Sequence, residues 1–180
     1  MRYLEDKMLL RLKPITWVLL LTLSFCLIVF IKINLDKTSA NPQELALELK
    51  HFDVYKSPTC GCCGDWIEHF EESGFSTETH HPEDLAAVKI QQGIQGNYQS
   101  CHTTVSSNGY VFEGHIPAKF IRRFMLNPPT DAIGLTVPGM PLGSPGMEVE
   151  DRFTPYQILV LFKDGSSKVY AKINRYSEQS

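Results

Sequence analysis

The apolar residues that follow the first fifty positions recur first with the period of a strand and then with that of a helix. Phe52 and Val54 alternate with polar residues, whereas Trp66, Ile67 and Phe70 follow at helical spacing. The switch then repeats, which predicts four elements: strand 51–56, helix 63–72, strand 75–79 and helix 82–93. Such alternation is typical of an α/β domain.

Hairpin signals dominate the second half of the chain. Asn108-Gly109 and Asp164-Gly165 each lie between two apolar runs, as turns of β-hairpins do. A further amphipathic helix begins at Pro117. The strands predicted around the two turns are 101–106, 110–112, 157–163 and 167–173. We therefore expect an α/β sandwich built around a mixed sheet.

The N-terminal part is a separate unit built around an uncharged apolar run, residues 15–31. The run has about the length of a short membrane span and exceeds a usual signal-peptide core. The basic residues that precede it predict a cytoplasmic N-terminus. We therefore predict a cytoplasmic region 1–14, a signal anchor or transmembrane helix 15–33 and a linker 34–49. The alternative is a signal peptide cleaved after Ala40, which would release the protein into the periplasm.

The charge of the chain after residue 33 argues against nucleic-acid binding. Five of the 17 basic residues but only two of the 20 acidic residues lie in residues 1–33, so the rest is acidic. An acidic domain lacks the basic surface that nucleic-acid binding needs, so we expect no nucleic-acid partner. The sequence also contains no phosphate loop, dinucleotide fingerprint or Ser/His/Asp arrangement.

The cysteines are the candidate residues for redox chemistry or metal binding. Cys60, Cys62 and Cys63 stand between the first predicted strand and helix, and Cys101 opens the first hairpin. The start of a helix favours the thiolate, and the spacing of Cys60 and Cys63 suits either a redox pair or two ligands of one metal. Two structural disulfides among the four cysteines are the alternative in an oxidising compartment. Cys26, inside the apolar run, is interpreted as a bystander.

A segment rich in proline and glycine, residues 134–148, fits neither a helix nor a strand. It carries Met140 and Met147 within a loop whose turns are fixed by its prolines and glycines. Methionine is a common gap-filler in hydrophobic cores, so both side chains could simply pack. Alternatively, the loop presents two thioether sulfurs to a soft metal ion.

Thiolates with nearby thioethers favour Cu(I) over the other metals considered. Structural zinc sites usually pair two C-x-x-C units, whereas here the fourth cysteine stands alone. An iron-sulfur cluster would use the same ligands, although the spacing matches neither common ferredoxin pattern. Copper is thus the preferred ion, with zinc and iron-sulfur as alternatives.

The histidines give weaker signals. His102 follows Cys101 on a predicted strand, where successive side chains point to opposite faces, so we expect His102 to be exposed. His115 precedes the helix that begins at Pro117 and could cap, pack or bind metal. The pattern does not decide among these three roles.

Four motifs in order resemble one family. They are Cys60-Gly61-Cys62-Cys63 with Trp66, Ser100-Cys101-His102-Thr103, Gly114-His115-Ile116-Pro117-Ala118 and the Pro/Gly/Met segment from Gly134 to Glu148. Together they resemble the CopG-like periplasmic metal-binding family, which is known by its CxCC motif. The resemblance spans about residues 50 to 173 and is specific because all four motifs occur together.

The resemblance implies a thioredoxin-like domain, here residues 50–176, with a C-terminal extension that helps to bind copper. It places the metal ligands at Cys60, Cys62, Cys63, Cys101, Met140 and Met147. It also implies a role in bacterial copper resistance, with other periplasmic copper-handling proteins as partners. We expect a protein that faces the periplasm from the inner membrane and couples copper to thiol redox. The alternative is a thiol-disulfide oxidoreductase that uses Cys60 and Cys63, and the sequence leaves open whether the protein is an enzyme.

Overall fold

The computed structural model describes Phe25 and residues 50–180, and the latter lie in a compact unit that spans Ala46–Ser180. The described residues form three α-helices and seven strands. In chain order they are β1 (His51–Lys56), α1 (Gly61–Glu72), β2 (Ser76–His80), α2 (Leu85–Gln91), β3 (His102–Ser106), β4 (Val111–Glu113), α3 (Ala118–Leu126), β5 (Ala132–Thr136), β6 (Tyr156–Phe162) and β7 (Ser167–Ile173).

All seven strands belong to one mixed sheet with the order β2-β1-β3-β4-β5-β6-β7. β1 pairs in parallel with β2, and β4 pairs in parallel with β5. The other four neighbouring pairs are antiparallel. The predicted α/β architecture around a mixed sheet is confirmed.

The core lies between the sheet and the helices α1 and α3. Phe52 of β1 contacts Phe70 of α1, and Phe112 of β4 contacts Phe124 of α3, with ring centroids 5.0 and 5.6 Å apart. Glu113 follows Phe112 and therefore points to the opposite face, where α2 reaches it. Helices thus cover both faces of the sheet.

Helix α1 begins at Gly61, two residues before the predicted start. Cys60 is its N-cap residue, with an extended backbone and no side-chain hydrogen bond to the helix. The cysteines at positions 60, 62 and 63 therefore all lie at the first turn, directly after β1. The helix ends at Glu72 with Ser73 as its C-cap residue, and Gly74 follows with a positive φ of 86°.

Helix α2 is shorter than predicted. We expected Pro82 in its first turn, but the helix begins at Leu85. The carboxylate of Asp84 accepts a hydrogen bond of 2.9 Å from the backbone N–H of Ala87 and so caps the helix. This cap fixes the start three residues after the proline.

Strand β5 was not predicted, because residues 134–148 were assigned to an irregular loop. Residues 134–136 instead belong to β5, between β4 and β6. Gly134 disguised the strand, since a side chain there would collide with the neighbouring strand: an added Cβ would lie 1.7 Å from the carbonyl oxygen of Val111. The irregular segment therefore starts at Val137, after β5 has ended.

The predicted membrane helix 15–33 and the linker 34–49 lie outside the described residues, apart from Phe25, which is helical. Among the described residues, no helix combines the length and the apolar character needed to cross a membrane. The anchor therefore stays a prediction.

Candidate metal centre

Two neighbouring strands bring the four cysteines together. Lys56, the last residue of β1, pairs with His102, the first residue of β3. The turn that follows β1 and the first turn of α1 carry the CxCC motif, and the residue that precedes β3 is Cys101. As a result the sulfur atoms of all four cysteines lie within 4.8 Å of one another.

One disulfide joins Cys60 to Cys63, with 5.5 Å between their Cα atoms. Cys62 and Cys101 are free thiols, and the sulfur of Cys62 lies 3.5 Å from that of Cys60. The structure thus shows one disulfide among these four cysteines, whereas the alternative to a redox pair or metal site predicted two structural disulfides. The prediction that the helix start favours a thiolate stays untested at Cys60 and Cys63, since neither has a thiol in this state.

Cys101 lies against two imidazoles. Its sulfur is 2.9 Å from Nε2 of His115 and 3.4 Å from Nδ1 of His102. Burial, together with the nearby Cys62, raises the pKa of the Cys101 thiol to about 11. At neutral pH the Cys101 thiol therefore keeps its proton, which a metal ion bound to this sulfur would have to displace.

His115 is fixed in one tautomer by the Pro/Gly/Met segment. Its Nδ1–H donates a hydrogen bond of 2.7 Å to the carbonyl oxygen of Pro145, which leaves the Nε2 lone pair directed at the sulfur of Cys101. Burial lowers the pKa of His115, which favours the neutral ring. A neutral imidazole held through its other nitrogen is the usual form of a histidine metal ligand.

His102 is completely buried, so the prediction of an exposed histidine is wrong. Cys101 precedes the strand, so the alternation that placed the two side chains on opposite faces does not apply to it. The ring packs at 4.5 Å from that of Trp66, and burial, with His115 as the next cause, lowers its pKa well below the usual value. Within the described part of the chain, its buried Nε2 has no hydrogen-bond partner.

The Pro/Gly/Met segment packs directly on the start of α1. An added Cβ at Gly146 would lie 2.5 Å from the carbonyl oxygen of Cys62 and 2.6 Å from the backbone nitrogen of Trp66, so only glycine allows this approach. Gln179 fastens the segment by donating a hydrogen bond of 2.8 Å to the carbonyl oxygen of Gly143. The segment therefore forms one wall of the cysteine cluster.

The two predicted methionine ligands differ in position. Met147 directly follows Gly146 and is partly buried, and its backbone N–H donates a hydrogen bond of 2.7 Å to the carbonyl oxygen of Ser144. Met140 is 54% exposed. Met147 thus lies in the part of the chain that contacts α1, and the role of both sulfurs as ligands stays a prediction.

A buried ion pair supports the segment that carries Cys101. Lys89 of α2 lies 2.5 Å from a carboxylate oxygen of Glu113, and both side chains are almost fully buried. The same oxygen accepts a hydrogen bond of 2.6 Å from the backbone N–H of Ser100, and Thr103 donates to the other oxygen at 2.7 Å. Burial raises the pKa of Glu113, while the ammonium group of Lys89 opposes that rise. Glu113 thereby fixes the backbone beside Cys101.

These contacts define two overlapping groups of candidate metal ligands that share Cys101. One contains the four cysteine sulfurs, and the other contains Cys101, His102 and His115, with ligand atoms within 4.8 Å in each group. Thiolate and imidazole are soft to borderline donors, a set that fits copper and zinc and does not fit magnesium or calcium. The sequence singled out the sulfurs and gave metal binding as one of three roles for His115, whereas the position of His102 became evident only from the fold.

Comparison with known proteins identifies one matching family description for part of the chain. A family described as "Protein of unknown function, DUF411" matches residues 98–147, which include Cys101, His115 and both loop methionines. No curated protein matches the chain.

Two solved structures are similar to the chain over most of their own length. The structure titled "Copper resistance protein copG- Form 1" is 42% identical, with a TM-score of 0.64, and the match covers 68% of this chain and 96% of that one. The structure titled "Copper resistance protein copG- Form 2" is 43% identical, with the same TM-score, and the match covers 68% and 97%. On this identity and coverage, the chain belongs to the family of the CopG copper resistance proteins.

Proposed function

We propose that the protein binds copper as Cu(I) through Cys60, Cys62, Cys63 and Cys101, and that it serves copper resistance. The observation that carries the proposal is the convergence of four cysteine sulfurs within 4.8 Å. Clustered thiolates select Cu(I) by softness, and sulfurs this close can bridge more than one ion. Both solved relatives are named as copper resistance proteins, which supports the same role here.

The Cys60–Cys63 disulfide gives the centre two states. In the disulfide form the centre offers only Cys62 and Cys101 as free thiols. An external dithiol can reduce this bond by two electrons and is itself oxidised to a disulfide. The freed thiols of Cys60 and Cys63 would then serve as two more sulfur ligands. Copper loading and thiol redox are coupled in this way, since the affinity for Cu(I) rises when the pair is reduced.

His115 supplies a nitrogen ligand beside the sulfurs. Its Nε2 lies 2.9 Å from the sulfur of Cys101, and its other nitrogen is held by Pro145. Met147 is the better placed of the two loop methionines to complete the site, because Gly146 contacts the backbone of Cys62. In this proposal, the Pro/Gly/Met segment acts as the lid of the copper site.

The first part of the fold supports a thioredoxin-like domain. Its elements follow the order β1-α1-β2-α2-β3-β4-α3, and its strands lie in the order β2-β1-β3-β4 with only β1 and β2 parallel. We assign strands β5 to β7 and the Pro/Gly/Met segment to the C-terminal extension. The cysteines at the start of α1 then occupy the place where thioredoxin-like proteins carry their redox pair.

Location follows from the N-terminal sequence. We propose that residues 15–33 anchor the protein in the inner membrane and that the folded domain faces the periplasm, where other copper-handling proteins would be its partners. The uncharged apolar run and the basic residues that precede it support this orientation. Cleavage after Ala40 remains the alternative route to the periplasm.

A thiol-disulfide oxidoreductase is the second candidate function. The disulfide between Cys60 and Cys63 at the start of a helix supports it, since this is the usual place of a catalytic dithiol. In that case copper would be incidental, and catalysis would depend on the pair alone.

Substitution of the loop methionines separates the two candidates. We expect Met147→Leu to lower the Cu(I) affinity of the reduced full chain about tenfold or more, because leucine keeps the volume but removes the sulfur. Competition against a Cu(I) chelator measures the affinity. Met125→Leu is the matched control, since Met125 packs against the core in α3.

Unchanged Cu(I) affinity in both Met140→Leu and Met147→Leu would show that these side chains only pack and do not bind the metal. The oxidoreductase function predicts catalysed disulfide reduction that both substitutions leave intact and that proceeds without copper. Reduction that is lost on copper removal would count against that function.

A further inference from the structure

A separate group of side chains that could hold a metal ion lies at the other end of β1. His51 and Asp53 are two residues apart and therefore point to the same face of the sheet, away from the core residue Phe52. Glu78 of β2 pairs directly with Asp53. One ligand atom from each of the three side chains lies within 4.8 Å of the others.

Neighbouring side chains hold this group in the manner of the supports around metal ligands. Nε2 of His80 lies 2.8 Å from a carboxylate oxygen of Asp53, and the ring of His80 stacks on Tyr55. Nδ1 of His51 lies within 3.3 Å of the hydroxyl of Ser76, which leaves Nε2 for a metal. Hydrogen bonds of this kind orient metal ligands and raise their basicity.

No lysine or arginine of the described residues forms an ion pair with Asp53 or Glu78. Among the ion pairs of the described residues, Asp53 pairs only with His80, and Glu78 takes part in none. Two carboxylates on adjacent strands repel each other unless a cation lies between them. One imidazole with two carboxylates suits a divalent transition metal ion and contrasts with the sulfur ligands of the cysteine cluster.

We propose that His51, Asp53 and Glu78 form a second, surface-exposed site for a divalent first-row transition ion, with Cu(II) as the strongest-binding candidate. The site is separate from the cysteine cluster. The six residues of β1 run from His51 to Lys56, beyond which the CxCC motif begins, and they span about 17 Å. The protein would thus present one site for Cu(I) and another for a divalent ion.

Cu(II) titration of the full chain tests the proposal in a background that lacks free thiols. The substitutions Cys26→Ser, Cys62→Ser and Cys101→Ser leave only the Cys60–Cys63 disulfide. Electron paramagnetic resonance of this protein with one equivalent of Cu(II) is expected to show a nitrogen- and oxygen-ligated ion. His51→Gln should raise the dissociation constant for Cu(II) at least about tenfold and remove a nitrogen coupling.

Further variants test the roles of the ligand Glu78 and of the neighbouring His80. Glu78→Gln should weaken binding and leave the nitrogen coupling unchanged, and Glu78 is exposed, so that its loss does not disturb the fold. His80→Gln should weaken binding about tenfold without loss of a nitrogen, as expected of a positioning residue. His81→Gln is the matched control and should change nothing, because His81 bonds to the carbonyl oxygen of Lys56.

The proposal is overturned if the background protein binds no Cu(II) in the micromolar range. It is equally overturned if His51→Gln and Glu78→Gln both bind Cu(II) within twofold of the background. Circular dichroism of each variant verifies that the fold is retained, so that a loss of binding reports on the ligand.

Discussion

The Cys101→Ser protein is expected to bind Cu(I) at least about 100-fold more weakly than the parent chain. Cys101 belongs to both groups of ligands, since its sulfur lies within 4.8 Å of the other three sulfurs and of the nitrogens of His102 and His115. Serine has nearly the same shape, so it keeps the packing and replaces only the soft sulfur by a hard oxygen, which Cu(I) binds poorly. Competition of the reduced full chain against a Cu(I) chelator, under anaerobic conditions, measures this difference.

Cys26→Ser is the matched control for this substitution. It removes a thiol of the same kind from the apolar run and is expected to leave the Cu(I) affinity unchanged. Affinity of the Cys101→Ser protein within threefold of the parent would contradict the assigned ligand set. So would an equal loss in both variants, because it would indicate a general effect of thiol content.

Lys89→Met is expected to lower the free energy of unfolding by about 3–5 kcal/mol. The ammonium group of Lys89 is the only cation that forms an ion pair with Glu113 in the described part of the chain, and its removal leaves a buried carboxylate uncompensated. Glu113 would then take up a proton more readily, and its hydrogen bond from the backbone of Ser100 would weaken. Urea unfolding followed by circular dichroism measures the loss.

The double variant Lys89→Met, Glu113→Gln provides the internal check. Both charges are absent from it, so it should be more stable than the sum of the two single substitutions predicts. Strict additivity would show that the two side chains do not stabilise each other. A change below 1 kcal/mol in both single variants would show that the pair contributes nothing to the support of Cys101.

Much of the fold could be predicted because the periodicity of the chain is strong. The alternation of Phe52 and Val54 predicted β1 with its observed bounds, and the Asn108-Gly109 turn predicted the hairpin of β3 and β4. Strand β5 was missed because Gly134, which a close approach to Val111 requires, weakens the apolar pattern. Local patterns do not contain such constraints between neighbouring strands.

The candidate site was predictable only in part, for a similar reason. Cys60, Cys62 and Cys63 are close in sequence, so their proximity follows from the helix start alone. Their contact with Cys101 depends on the pairing of β1 with β3, and a lone cysteine does not reveal its partner strand. The register also buries His102, which no local pattern indicated.

The ion pair of Lys89 and Glu113 was beyond sequence analysis altogether. Charged residues on helices and strands are usually solvated, and nothing near either residue distinguishes it from such a surface charge. The pairing arises because α2 covers the face of the sheet on which Glu113 lies. The ion pair that supports Cys101 therefore depends on tertiary structure and not on a local sequence pattern.

Copper K-edge X-ray absorption of the reduced full chain, loaded anaerobically with Cu(I), tests the central claim most directly. The proposed ligand set predicts at least one tightly bound Cu(I) per chain, with sulfur as the dominant neighbour and nitrogen as a smaller contribution from the histidines. A first coordination shell of nitrogen and oxygen alone, or less than one bound copper per chain, would contradict the assignment of the cysteine cluster as a copper centre.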